Sequence, residues 1–242
     1  MKTIYNTILK AILNGEKLLA VLIDPDKFSI GNTSSFIDKV NASIATHIFV
    51  GGSTVEEYAT NKLVGQIKKY TNLPVILFPG DVSQISEQAD ALLFLSLISG
   101  RNPEYLIGKH IAAVSKLKNS NLEVIPTGYV LIESGTKTAV ETVTKTKPLL
   151  RNNIQLILDS AKAGELLGMQ LIYLEAGSGV KEPIGHDIIS SVKREIKIPL
   201  IVGGGIRKID QLKSAYNSGA DMVVIGTAFE NDESFFDELK KE

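Results

Sequence analysis

Eight short apolar runs, most of them separated by segments with helical periodicity, constrain the fold of this chain more than any other feature. Parallel strands need a crossover connection, usually a helix, so strands that alternate with helices are expected to pair in parallel. Eight such units close into a (β/α)8 TIM barrel, whereas the Gly-x-Gly-x-x-Gly signature of an open doubly wound sheet is absent after the first run. The predicted strands are Leu18–Ile23, His47–Val50, Pro74–Phe78, Asp90–Leu97, Leu122–Ile125, the start of Leu171–Gly179, Pro199–Val202 and Met222–Ile225.

The length and the spacing of these runs predict one barrel with two irregularities. A chain of 242 residues suits a single TIM-barrel domain over residues 1–242. Ile4, Ile8 and Ile12 recur at helical spacing and predict an extra N-terminal helix. Only ten residues separate Pro79 from Asp90, which predicts an irregular third βα unit and a thin outer wall there. The insertion 131–152 predicts a cap over the C-terminal face of the barrel.

The composition excludes several classes of function. Lys and Arg (26) nearly balance Asp and Glu (27), so the chain carries no global basic field for nucleic acid. The chain has no cysteine, which excludes disulfides, thiolate metal sites and a Cys nucleophile. Its longest apolar run, Ala91–Ile98, falls far short of the ~20 residues that span a bilayer. With no signal-peptide pattern at Met1–Lys10, we expect a cytoplasmic protein without stable membrane insertion.

Polar residues follow the predicted strands at their C-terminal ends, which meet at one mouth of a barrel. Two glycine turns, Gly203–Gly205 and Gly226–Thr227, follow the seventh and eighth strands, where this fold commonly binds phosphate. The glycines can also serve only as tight turns, but two adjacent turns favour a phosphate monoester. The other residues expected at the mouth are Asp24, Ser53, Asp81, Arg101, Tyr129 and Glu175.

Two groups of side chains at this mouth suggest chemistry. Asp24, with Ser53 on the next unit, is compatible either with an Asx turn or with a hard cation such as Mg²⁺. Glu175 is either a structural ion-pair partner or an acceptor for the hydroxyls of a small polyol phosphate. Tyr173 is a candidate for packing. The histidines show no ligand spacing and receive no role: His47, His110 and His186.

Together these motifs resemble the geranylgeranylglyceryl phosphate synthase family, which includes the bacterial heptaprenylglyceryl phosphate synthases. The Tyr-x-Glu-x-Gly-Ser-Gly motif at Tyr173–Gly179 is the most specific part of the resemblance. The other matching segments are Asp24-Pro25-Asp26-Lys27, Gly51-Gly52-Ser53, Val202-Gly203-Gly204-Gly205-Ile206-Arg207 and Gly226-Thr227. In some members a Lys precedes the metal-binding Asp by two residues, and here that position is Leu22.

The resemblance implies a Mg²⁺-dependent prenyltransferase that joins the sn-3 hydroxyl of sn-glycerol 1-phosphate to a long prenyl diphosphate. Asp24 and Ser53 match the Mg²⁺ positions, and Glu175 matches the acid that holds the glycerol hydroxyls and accepts the proton. The family also implies a homo-oligomer, a dimer or larger. The residues that match the glycerol phosphate site are Tyr173, Leu174, Glu175, Ala176, Gly177, Ser178, Gly179, Gly203, Gly204, Gly205, Gly226 and Thr227.

The chemistry of this reaction adds two expectations. Lys27 or Arg101 is a candidate cation for the departing diphosphate. The thin wall near the third unit is the expected place for the prenyl chain, with lining candidates Phe78, Leu92, Phe94, Leu97 and Tyr129. Two other functions remain open from the residues alone: an isomerase or lyase of sugar phosphates, and a barrel that binds a polyol phosphate without catalysis.

Overall fold

The computed structural model of this chain describes residues 3–241, with the backbone alone at positions 230 and 231. Eight parallel strands in this region close into a barrel in sequence order, with β1 paired to β8. The predicted TIM barrel is therefore confirmed. The strands are β1 Leu18–Ile23, β2 His47–Val50, β3 Val75–Leu77, β4 Ala91–Leu97, β5 Glu123–Leu131, β6 Leu171–Glu175, β7 Leu200–Gly203 and β8 Met222–Ile225.

Helices surround the barrel. One segment before the fourth α-helix, Glu104–Gly108, is a π-helix, and a 3₁₀ helix, Glu233–Leu239, lies after β8. Within residues 3–241, no helix is both long enough and apolar enough to cross a bilayer. The α-helices are α1 Ile4–Leu13, α2 Thr33–Ala42, α3 Ala59–Ile67, α4 Lys109–Leu117, α5 Ala139–Thr144, α6 Ile154–Leu166, α7 His186–Glu195, α8 Ile209–Asn217 and α9 Thr227–Asn231.

The core has two apolar layers because both faces of each parallel strand are buried. On β1, Leu18 and Ala20 belong to one layer, inside the barrel, and Leu19 and Val21 belong to the other, beneath the helices. The predicted N-terminal helix is present as α1, and its Ile8 joins the inner layer, so this helix covers the lower end of the barrel. The carboxylate of Glu123 fixes that helix because it accepts hydrogen bonds from the N–H groups of its first two residues.

The third βα unit lacks an α-helix, as its short sequence predicts. A single 3₁₀ turn, Val82–Gln84, connects β3 to β4. The predicted cap is also present: α5 lies in the insertion and begins with a capping box formed by Thr138 and Glu141. The cap and the missing helix shape the cavity described below.

Two boundaries differ from the sequence prediction. β5 continues to Leu131, whereas the sequence predicts a strand that ends at Ile125, before Pro126–Tyr129. The strand tolerates Pro126 because β6 begins only at Leu171, so the N–H that proline lacks has no hydrogen-bond partner to lose in β6. The carbonyl of Pro126 still accepts a hydrogen bond from Gln170 N at 2.8 Å. The sequence pattern predicts a helix over residues 55–70, whereas α3 spans only Ala59–Ile67, because Tyr58 adopts a left-handed φ of 67° just before it.

Candidate active site

The C-terminal ends of the strands surround a cavity of about 360 Å³. Most of the residues predicted at the mouth line this cavity, so distant segments of sequence do meet there. Those that line it are Asp24, Ser53, Asp81, Tyr129, Tyr173, Glu175, Ser178, Gly179, Gly204, Gly205, Gly226 and Thr227. Leu174 and Ala176 instead pack in the apolar layer beneath the helices, as alternation along β6 requires.

Glu175 is a buried carboxyl group at the wall of the cavity, at the end of β6. Its side chain is only 6% exposed, and its Oε1 accepts a hydrogen bond from the N–H of Gly177 at 2.6 Å. Burial raises the pKa of Glu175 to about 7, although the Gly177 N–H and the neighbouring Tyr173 hydroxyl favour the ionised form. A carboxyl group with this pKa can accept a proton near neutral pH.

Three aromatic rings form the floor of the cavity beside Glu175. The ring of Tyr173 stacks on Phe78 at 5.0 Å and on Tyr129 at 5.4 Å between centroids. Burial, followed by the charge of Glu175, raises the pKa of both tyrosines, so both keep their hydroxyl protons. Tyr129 lies within β5 rather than in a turn after it, which corrects its predicted position.

The glycine turns form the other side of the cavity and bring the chain unusually close to Glu175. Gly204 has a φ of +85°, and a Cβ at this position would lie 2.5 Å from Glu175 Oε1. Gly177, with a φ of +108°, likewise leaves no room for a side chain beside Thr138. Ser178 Oγ and Thr227 Oγ1 lie 3.0 Å apart and link the turn after β6 to the start of α9.

This wall offers hydrogen-bond donors where an anion would lie. The first N–H groups of a helix and the amides of glycine turns suit a phosphate group. Arg207 lines the same end of the cavity, where its guanidinium donates to the carbonyl of Gly179 at 2.6 Å. We call this region, formed by Ser178, Gly179, Gly204, Gly205, Gly226 and Thr227, the glycine wall.

Two oxygen-bearing side chains, Asp24 after β1 and Ser53 after β2, are of the type that binds hard cations. The carboxylate of Asp24 lies 3.0 Å from the ammonium of Lys27, and a Cβ on Gly52 would lie 2.8 Å from Asp24 Oδ1. Within residues 3–241 no cluster of three or more His, Cys, Asp or Glu side chains is placed to hold a metal. One carboxylate and the Ser53 hydroxyl suit Mg²⁺, which keeps several waters and commonly takes phosphate oxygens from its substrate.

A neighbouring glutamine holds the turn that carries Ser53. Gln84, in the 3₁₀ turn, donates to the carbonyl of Gly52 at 2.8 Å and accepts from the N–H groups of Gly52 and Gly80. Asp26, the second carboxylate of the Asp24-Pro25-Asp26-Lys27 motif, has a structural contact: its Oδ1 accepts a hydrogen bond from Glu56 N at 3.0 Å.

The far side of the cavity is apolar and opens where the third unit lacks a helix. Val82, Ile85, Leu92, Phe94 and Ala113 line it, and we call this region the apolar cleft. Leu92 and Phe94 belong to the layer outside the barrel, which a helix between β3 and β4 would otherwise cover. All five lining candidates named from the sequence, Phe78, Leu92, Phe94, Leu97 and Tyr129, do line the cavity.

One cation predicted at the mouth lies elsewhere, and another that was not predicted lines the cavity. Arg101 does not line the cavity; its exposed guanidinium donates to the carbonyls of Ile98 and Gly100. Lys109 and His110, at the start of α4, do line it, although neither was expected there. Both residues lie on a helix, after the π-helix Glu104–Gly108, and not directly after a strand, where the sequence patterns pointed.

The raised pKa of Glu175 can be tested directly. The protonated carboxyl group of Glu175 gives an infrared carbonyl band, which can be identified because Glu175→Gln lacks it. Since Glu175 is protonated below its pKa, this band should disappear as the pH rises, with a midpoint near pH 7. A midpoint near the ordinary value of about 4.3 would contradict the burial of the charge.

Comparison with known proteins supports the family suggested by the motifs. The chain is 58% identical over 237 residues to a protein of Flavobacterium johnsoniae named geranylgeranylglyceryl phosphate synthase, covering 98% of each chain. It is 58% identical over 233 residues to a protein of the same name from Zunongwangia profunda, covering 96% of this chain and 99% of the relative.

A solved structure is similar throughout. The (S)-3-O-geranylgeranylglyceryl phosphate synthase of Thermoplasma acidophilum, crystallised in complex with sn-glycerol-1-phosphate, has a TM-score of 0.92 and 34% identity, covering 99% of this chain and 96% of that one. A sequence profile of the PcrB family matches residues 12–242. The chain therefore belongs to the PcrB family, together with relatives named geranylgeranylglyceryl phosphate synthase.

Proposed function

We propose that this protein is a prenyltransferase that joins the sn-3 hydroxyl of sn-glycerol 1-phosphate to geranylgeranyl diphosphate or a similar long prenyl diphosphate. The products are geranylgeranylglyceryl phosphate, an ether-lipid precursor, and diphosphate. The observation that carries the proposal is a single cavity that joins the glycine wall and the buried Glu175 to the apolar cleft. The relatives named geranylgeranylglyceryl phosphate synthase support the same reaction.

Glycerol phosphate suits the polar end of the cavity. The amides of the glycine wall bind its phosphate, and Glu175, placed between Gly177 and Gly204, faces its hydroxyls. In the reaction the sn-3 oxygen forms a bond to C1 of the prenyl chain, and the bond from C1 to the diphosphate oxygen breaks. The proton of the hydroxyl passes to the carboxylate of Glu175.

The prenyl chain suits the other end of the cavity. A long hydrocarbon needs an apolar surface that excludes water, and the apolar cleft supplies one beside the stacked rings of Phe78, Tyr129 and Tyr173. Val140 and Val143 of α5 also line the cavity, so the cap adds apolar surface above the substrates. An isomerase or lyase of small sugar phosphates would have no use for this cleft.

We propose Mg²⁺ as the cofactor, held by Asp24 and Ser53 together with water and substrate oxygens. The support is the carboxylate of Asp24 at the cavity wall and the absence of a side chain on Gly52, which leaves that carboxylate room. When bound, Mg²⁺ would neutralise charge on the diphosphate leaving group.

The homo-oligomer and the cytoplasmic location stay predictions. For the oligomer, three exposed apolar side chains, Ile107, Ile111 and Val114, follow one another at helical spacing around α4 and would be buried in contact with a second copy.

A product assay tests the proposed reaction. Purified protein with Mg²⁺, labelled sn-glycerol 1-phosphate and prenyl diphosphates of several lengths should yield a labelled lipid, and chelation of the metal should abolish it. The enantiomer, sn-glycerol 3-phosphate, is the matched control and should react poorly, because the opposite configuration at C2 keeps its two hydroxyls from both reaching the places beside Glu175 while the phosphate is bound. If no chain length gave a labelled lipid, the proposal would be wrong.

A glycine substitution tests the placement of the glycerol phosphate. Gly204→Ala should weaken sn-glycerol 1-phosphate binding by about tenfold or more, because its Cβ would displace the Glu175 carboxylate. Gly135→Ala is the matched control: Gly135 also has a positive φ, +75°, but a Cβ there would meet nothing within 4 Å. Calorimetry should therefore show near-normal affinity for Gly135→Ala, and equal losses in both variants would attribute the effect to backbone strain alone.

A further inference from the structure

An ion pair between Lys109 and Asp81 bridges the two elements that flank the apolar cleft. Asp81 caps the 3₁₀ turn that lies in place of a helix between β3 and β4. Its Oδ1 accepts a hydrogen bond from Ser83 N at 3.1 Å. Lys109 is the first residue of α4, and its ammonium pairs with Asp81 Oδ2. The same ammonium lies 5.9 Å from the centre of the Tyr105 ring. The pair therefore stands where the cleft leaves the barrel mouth.

The position also adjoins the residues that suit Mg²⁺. Gly80, the residue before Asp81, packs so closely on the turn of Ser53 that a Cβ would lie 2.7 Å from the Ser53 carbonyl oxygen. Lys109 thus lies between the polar residues at the ends of β1 and β2 and the apolar residues of the cleft. A molecule with an anionic head and a hydrocarbon tail would place its head at this boundary.

The other cations of the cavity wall have different positions. In the part of the chain that the structure describes, Lys27, Lys109 and Arg207 line the cavity. Lys27 pairs with Asp24, and Arg207 is held beside the glycine wall through the carbonyl of Gly179. Of these three cations, Lys109 is the one that lies on the same side of the cavity as the apolar cleft.

The ammonium of Lys109 is suited to bind an anion. An ammonium group carries three N–H donors, of which the pair with Asp81 uses one. The side chain of Lys109 is 31% exposed, so it reaches the cavity without full desolvation. The hydrogen bond to Asp81 is the largest cause of a raised Lys109 pKa, which keeps the group charged at neutral pH.

We propose that Lys109 binds the diphosphate of the prenyl substrate at the start of the apolar cleft, and that Asp81 holds the ammonium in position. This assignment rests on the proposed function for the identity of the substrate. It replaces Arg101 as the expected cation, since Arg101 does not line the cavity. As C1 leaves the diphosphate, Lys109 offsets the charge that develops on the departing oxygen.

Substitution of Lys109 tests the proposal with two readouts. Lys109→Met should raise the KM for the prenyl diphosphate and weaken binding of inorganic diphosphate, measured by calorimetry with Mg²⁺, each by roughly tenfold to a hundredfold. The KM for sn-glycerol 1-phosphate should change by less than about twofold, because that substrate lies at the glycine wall. Lys109→Arg should restore most of the diphosphate affinity.

The matched control is another lysine of the same helix. Lys116 donates to the carbonyl of Val82 at 3.1 Å, in the same 3₁₀ turn, but it does not line the cavity. Lys116→Met should therefore leave both affinities unchanged. Lys109→Gln, which keeps a hydrogen-bond donor for Asp81, provides a second variant if Lys109→Met fails to fold.

Failure of this assignment can be distinguished from failure of the proposed function. If the wild-type protein makes the lipid while Lys109→Met and Lys109→Gln keep normal affinity for inorganic diphosphate, the role of Lys109 is wrong and the prenyltransferase proposal stands. Equal weakening of both substrates would also overturn the assignment, since it indicates a general disturbance of the cavity. If the wild-type protein makes no lipid, the proposed function fails, and loss of diphosphate binding in Lys109→Met still supports the anion site.

Discussion

The burial of the Glu175 carboxyl group is the constraint on which the rest of the site depends. A carboxylate loses favourable hydration when it leaves water, so its surroundings must supply hydrogen bonds or raise its pKa. Here both occur: the N–H of Gly177 donates to Oε1 at 2.6 Å, and the pKa rises to about 7. The same carboxylate helps to confine position 204 to glycine, because a Cβ would lie 2.5 Å from Oε1, and the φ of +85° and the backbone of Gly177, 2.8 Å from that Cβ, add to the constraint. One buried acid thus accounts for much of the local backbone and for the chemistry we propose.

A second constraint is the absence of an α-helix between β3 and β4, which opens the barrel wall. Leu92 and Phe94 point to the outer layer, where a helix normally covers such side chains. In this protein they line the apolar cleft instead, beneath the ion pair of Asp81 and Lys109. The fold therefore places a hydrocarbon surface next to a polar site. This juxtaposition suits a reaction between a small polar molecule and a long lipid.

The sequence predicted the barrel and much of its mouth because both depend on local patterns. Apolar runs define the strands, and the barrel geometry gathers residues such as Asp24, Glu175 and Gly204 whatever their separation. The extent of β5 was not predictable, since Pro126 is tolerated only because of where β6 begins. Lys109 was missed because it lies at the start of α4, well after the end of β4, whereas the sequence patterns pointed only to residues directly after strands. The metal positions, Asp24 and Ser53, stay predictions that rest on the resemblance and on the chemistry of their oxygen atoms.

In the reaction that we propose, Glu175 accepts the proton of the glycerol hydroxyl while the glycine wall binds the phosphate. Glu175→Gln keeps the shape of the side chain and removes the base, so the most direct measurement compares its kcat with its affinity for sn-glycerol 1-phosphate. We expect kcat to fall by roughly 10²–10⁴-fold, the usual contribution of a general base, and the affinity to change by less than about tenfold. Equal losses in kcat and in affinity would contradict the account, because they would show that Glu175 only binds the substrate.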